Sequence, residues 1–182
     1  MIDIVRDWNE NEVRLRPGTY WHLFRSGGLL KHNARMGKGV VFSVSFIAEA
    51  PGMEKAVTPF FMGRFDDIKE ALWENVRTKS FAALPSRLKA FYCFESRELA
   101  ERAQREWFAS REQGDRELLE LRISEDAIIH RCDAMWLETS QDQWPLSADR
   151  YWKGEMTAAP FPEVLVHGGF YFPGWEQFPI AF

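Results

Sequence analysis

Short runs in which apolar and polar residues alternate recur along this chain, and they set the tightest limit on its fold. Residues 40–47 (VVFSVSFI), 117–123 (ELLELRI) and 163–167 (EVLVH) each read as a strand with one buried face. Residues 19–25 (TYWHLFR) and 88–94 (LKAFYCF) add two strands rich in aromatic rings. Residues 127–137 (AIIHRCDAMWL) read as one bent strand or two short ones. Two clear helices lie between these strands. Over residues 66–79, Ile68, Leu72 and Val76 recur every four positions, with Ala71 and Trp73 widening the stripe. Ser96 is placed to cap a second helix, in which Leu99, Ala103 and Trp107 share one face. This pattern predicts an α+β fold of two short packed sheets, mixed or antiparallel, with helices. A doubly wound fold needs regular βα repeats and a glycine-rich first turn, and the sequence has neither.

Turn signals divide the chain. Pro17-Gly18, Ser26-Gly27-Gly28, Pro85 and Gly114 stop or separate the predicted elements, and Gly168-Gly169 closes the strand at 163–167. Residues 31–39 (KHNARMGKG) read as an exposed basic loop, and residues 48–63 as irregular. Residues 147–152 predict a helical turn ending at Gly154, and residues 170–182 a final strand with a packed aromatic tail. No period repeats, and the length of 182 residues fits a single domain, with residues 1–17 as an N-terminal extension.

Composition narrows the function classes. A hydrophobic fraction of 46% is enough for a real core. The net charge of −4 argues against duplex nucleic acid as a general partner. No apolar run approaches the roughly 18 residues of a membrane span, and the charged N-terminus lacks the apolar stretch of a signal peptide. A cytoplasmic protein without membrane association is therefore expected, and Cys93 and Cys132 are expected to be buried free thiols. Two cysteines and four scattered histidines give no zinc-ligand spacing, so no metal is expected. The phosphate loop, the dinucleotide fingerprint, the metalloprotease motif and the serine elbow are all absent. The 15% aromatic content is the unusual quantity, and composition alone leaves those rings to core or pocket.

Three segments carry candidate chemistry. Tyr20-Trp21-His22-Leu23-Phe24-Arg25 sets a histidine in an aromatic strand. Ser86-Arg87 precedes the strand holding Tyr92, which leads into the helix at Ser96. Pro162-Glu163 puts a carboxylate at the mouth of an apolar strand. In order and spacing, over residues 18–172, these segments resemble the ADP-ribosyltransferase superfamily of the diphtheria-toxin and poly-ADP-ribose-polymerase type. They also resemble an uncharacterised bacterial family assigned to that superfamily, through Ser86-Arg87, Tyr151-Trp152 and Pro162-Glu163.

The resemblance implies an ADP-ribosyltransferase-like fold. It implies NAD as substrate, with ADP-ribose transferred to a macromolecular acceptor or to water. Cleaving the nicotinamide–ribose bond passes through a sugar cation, which a neighbouring carboxylate stabilises. By resemblance Glu163, Tyr92 and His22 are the catalytic set: Glu163 beside the ribose, Tyr92 stacked on nicotinamide and His22 on the adenosine ribose. Arg25 or Arg87 would meet the diphosphate, since guanidinium suits phosphate oxygens. Tyr20 and Tyr151 are further candidate NAD contacts. Arginine-modifying transferases usually carry Glu or Gln two residues before the catalytic Glu. Here that position is Phe161, so arginine is not implied as acceptor.

Plainer readings stand beside these. His22 and Tyr92 are also ordinary core or rim residues for aromatic strands, and Glu163 is also a charge that guards a strand edge. Glu155 and Asp133 are rival carboxylates, the latter either outward-facing or paired with Arg131 or His130. The charges of the second helix read as a solvated face. Two other function classes stay open: an inactive interaction module of the same fold that uses the aromatic C-terminus, and a nucleic-acid enzyme that uses Lys31, Arg35 and Lys38.

Overall fold

The computed structural model describes residues 3–25, 28–58, 62, 67–108 and 116–180. Its elements are small antiparallel sheets and several helices, an α+β fold. The chain divides into two compact units, each assembled from separated segments. The expected stop at Ser26-Gly27, the helix start at Asp66 and the break at Gly114 lie outside the described residues, as does Phe182.

The first unit comprises Met1–Phe42, Cys93–Ala127 and Gly168–Phe182. Strands β1 (Asp3–Arg6) and β2 (Glu12–Leu15) form an antiparallel hairpin within the segment read as an extension. Leu15 is buried, and the Arg16 guanidinium donates to the carbonyls of Ser124, Glu125 and Ala127. Arg122 donates to the Asp3 carboxylate and to the Arg16 carbonyl. These bonds fasten the hairpin to the turn at 124–127. A four-stranded sheet follows, in the order β3 (Tyr20–Arg25), β6 (Arg116–Ile123), β9 (Gly169–Tyr171) and β4 (Val40–Phe42).

The predicted basic loop at 31–39 is instead mostly a helix, α1 (Leu30–Met36). Its cations are engaged within the protein. Lys31 pairs with Glu117 and lies over the Phe24 and Phe178 rings; Arg35 donates to the Glu176 carbonyl over Trp175; Lys38 pairs with Glu10. Helix α4 (Arg97–Trp107) also belongs to this unit, and Ser96 caps it as expected, its hydroxyl accepting from the Leu99 amide. On its outer side, Arg97–Glu101 and Arg102–Glu106 pair one turn apart, which is the solvated face read from sequence.

The second unit comprises Ser43–Tyr92 and Ile128–His167. The alternation at 40–47 breaks at Ser43, whose hydroxyl accepts from the Phe46 amide and starts a short helix, α2 (Val44–Ile47). A serine that looked like the polar half of a strand pattern is an N-cap. Helix α3 (Ile68–Ser80) begins at Asp67, which accepts from the amides of Lys69 and Glu70. The stripe expected from sequence holds at Leu72, Trp73 and Val76, which pack into the core of this unit. Ile68 is exposed, and the buried residues are Trp73 and Glu70.

A three-stranded sheet runs in the order β5 (Phe91–Cys93), β8 (Pro162–His167), β7 (Ile128–Asp133). The strand predicted over 88–94 is therefore only three residues long, because Lys89 and Ala90 both donate back to the Ser86 carbonyl in a turn. Strand β7 gives way to a 3-10 helix at Ala134–Glu138. The turn predicted at 147–152 is part of a longer helix, α5 (Trp144–Lys153), with a proline in its first turn. It ends as predicted at Gly154, where φ is +73°. Trp73, Cys132, Tyr151, Trp152 and Leu165 form the core of this unit, and the Trp152 indole donates to the Trp73 carbonyl.

Candidate functional site

The first residue of β8 is Pro162 and the second Glu163, on the central strand of its sheet. Glu163 is therefore not the edge charge that the sequence left open. Across β7 it pairs with Cys132. Its position depends on the buried Asp133. The Asp133 carboxylate accepts from the amides of Met135, Phe161 and Thr157 and from the Thr157 hydroxyl, at 2.7–3.0 Å. Asp133 is thus neither outward-facing nor held by Arg131 or His130. It ties down the chain at 157–161, immediately before Glu163. Burial acts to raise the Asp133 pKa, and these bonds outweigh it and hold the carboxyl below its ordinary value.

Around Glu163 five side chains from five parts of the unit converge. Arg87, from the turn before β5, donates from Nη1 to Glu163 Oε1 at 2.8 Å and to the Tyr151 hydroxyl at 2.6 Å. Tyr151, on α5, donates its own proton to the same Oε1 at 2.8 Å. Glu70, on the first turn of α3, takes the other side of the guanidinium. Arg87 Nε and Nη2 reach its two oxygens, each at 3.1 Å. Tyr92, on β5, donates to the Arg87 carbonyl at 2.5 Å, and the guanidinium lies 5.6 Å from its ring centre. The Cys132 thiol lies 4.0 Å from Oε1.

Glu70, Arg87 and Glu163 are 2%, 5% and 4% exposed. Burial of such charges is costly unless they are paired and hydrogen-bonded. Here the fork of the guanidinium takes both oxygens of Glu70 and one of Glu163. Burial acts to lower the Arg87 pKa, and its neighbours Tyr151, Tyr92, Glu70 and Glu163 more than offset it, so the guanidinium stays charged. Burial pushes Tyr151, Tyr92 and Cys132 well above their ordinary values, so all three keep their protons at neutral pH. Every hydrogen bond to the Glu163 side chain falls on Oε1. The carboxylate is thus oriented through one oxygen, and Oε2 is left without such a bond among the described residues.

Glu163, Tyr92, Arg87 and Tyr151, four of the residues singled out from sequence, are brought together in this cluster. Tyr20, His22 and Arg25 lie on β3 in the other unit, where His22 pairs with Leu119 across β6. Tyr20 and His22 are half-buried and Arg25 is exposed. The rival Glu155 is exposed beside Arg150. The residue that sequence reasoning missed is Glu70. Its only signal is its place three residues before the buried Trp73. Among the described residues, no group of three or more His, Cys, Asp or Glu is arranged to hold a metal ion. No helix among them is long and apolar enough to cross a membrane.

Fold and cluster together define an α+β protein with a buried arginine–carboxylate–tyrosine centre at the head of a central strand. Residues 48–172 match the family model described as "Protein of unknown function (DUF2441)", and the chain belongs to that family. The whole cluster from Glu70 to Glu163 lies inside the matched span, and β3 with His22 lies before it. No curated protein matches the chain.

Proposed function

We propose that this protein has an ADP-ribosyltransferase-like fold and works on NAD, transferring ADP-ribose to a macromolecular acceptor or to water, with Glu163 as the working carboxylate. The observation that carries this reading is the state of Glu163. It is a carboxylate at the head of a strand, paired with a guanidinium and gripped through Oε1 alone. A pre-oriented carboxylate is what a sugar cation needs beside it. The half-buried Tyr92 ring adjoins the same guanidinium and is the ring proposed to meet nicotinamide. Arg87 is engaged on both sides by carboxylates, so its contribution runs through Glu163 rather than through a diphosphate. For His22, Tyr20 and Arg25, the expectation of NAD contacts rests on the resemblance alone. A cytoplasmic setting, where NAD is abundant, completes the proposal.

The test is nicotinamide release from NAD, comparing the protein with Glu163→Gln. The expected loss of rate is about 10²–10³-fold, with NAD still bound. Equal rates in the two proteins, or no NAD binding at millimolar concentration, overturn the enzymatic reading. One observation favours a second reading, an inactive interaction module of the same fold: Glu163 is almost wholly buried. In that case Glu163→Gln changes the unfolding midpoint in urea and the wild type releases no nicotinamide.

A further inference from the structure

Resting on the reading of Glu163 as the working carboxylate, we propose that Glu70 is a positioning residue for it, acting through Arg87. Glu70 fixes the plane of the guanidinium, and the guanidinium fixes Oε1 of Glu163, so that Oε2 is the oxygen offered to the ribose. The geometry is that of a rigid fork. Nε and Nη2 are taken by the two oxygens of Glu70, which leaves Nη1 aimed at Glu163 and Tyr151. Because guanidinium is planar, the bidentate grip on one side sets the direction of the third nitrogen on the other.

Each part of the relay is itself held. Asp67 caps the turn of α3 that carries Glu70. The Ser86 hydroxyl donates to Glu74, one turn further along α3, and Arg77 on the same helix donates to the carbonyls of Ala82 and Leu84. The loop leading to Arg87 is thus splinted along α3, and Tyr92 anchors the Arg87 carbonyl. The titratable groups that surround Glu163 are Arg87 from this loop, Tyr151 from α5, Cys132 from β7, Tyr92 from β5 and Glu70 from α3. The tyrosines and the cysteine stay neutral, so Arg87 and Glu70 set the charge around it.

The test compares nicotinamide release by the wild type, Glu70→Gln and Arg87→Gln, with kcat taken per folded molecule counted by near-ultraviolet circular dichroism. In Glu70→Gln, kcat is expected to fall about 10- to 100-fold, with KM for NAD within about twofold. In Arg87→Gln kcat is expected to fall at least as far, and adding Glu70→Gln to it to cost little more, because Glu70 acts through that guanidinium. A merely structural role lowers the amount of folded protein and leaves kcat per folded molecule and KM as in the wild type. If Glu70→Gln does not fold, Glu70→Asp serves. It keeps the charge and loses the reach, so kcat per folded molecule falls while KM holds. An active wild type with unchanged kcat in the Glu70 variant overturns the positioning role and leaves the functional reading standing. A wild type without nicotinamide release overturns both.

Discussion

Asp133 and Arg87 show two ways in which a single residue governs this unit. Asp133 gathers four donors onto one carboxylate. With its folded pKa below the ordinary 3.8, the stability it contributes is complete above the unfolded value. That stability is lost as pH falls through the folded value, that is, below about pH 4. Asp133→Asn presents an amide to donors and is expected to cost about 1–3 kcal/mol at neutral pH. Urea unfolding between pH 3 and 7 should also show a flatter acid decline than in the wild type, and an unchanged profile would argue against the assignment. At this scale much was legible. Arg87, Tyr92, Tyr151 and Glu163 all stood out as polar or aromatic groups at strand or helix boundaries. Glu70 did not, because a charge inside a helix reads as solvated unless its partner is known, and that partner is 17 residues away. Asp133 was noticed with the wrong partners, since its bonds go mainly to backbone amides that sequence patterns do not display.

At the scale of elements, caps and turns decide where the side chains point. Asp67 sets the start of α3 and hence the height at which Glu70 meets Arg87. Asp67→Ala is expected to cost about 1 kcal/mol of stability, read from thermal unfolding, and to lower kcat for nicotinamide release in the same direction as Glu70→Gln. The alternating patterns located β6 and β8 well, because a strand with one buried face keeps its period. They failed at 40–47 and 88–94, where Ser43 and Ser86 divert the backbone into a helix and a turn. The loop reading failed at 31–39, where residues up to Met36 belong to α1 and the cations of the segment meet Glu117, Glu10 and aromatic rings. A local pattern shows alternation and polarity, but it does not show which partner a cation finds some 86 positions later. The aromatic excess divides in the same manner. Trp73, Tyr151 and Trp152 are core, whereas Trp175 and Phe178 are half-buried against Arg35 and Lys31.

For the molecule as a whole, the order of segments matters more than any one contact. The hairpin of β1 and β2 is fastened by Arg16 and Arg122 and buries Leu15. Deleting residues 1–17 is therefore expected to lower Tm in calorimetry, by about 2–4 °C for each kcal/mol lost, and an unchanged Tm would show the hairpin to be dispensable. The α+β class was readable from short strands and intervening helices. The division into two units was not, because each is stitched from segments far apart in sequence. That stitching has a consequence for how the protein is made. Arg87 and Glu163 are 76 positions apart, so at about 5–20 residues per second a ribosome needs roughly 4–15 s to bring out the second after the first. In the later part of that interval, once residue 133 is out, the nascent chain carries β5 and β7 without the strand that belongs between them. Chains released early would expose those unpaired edges, which makes late translation the stage at which this protein most needs chaperone cover.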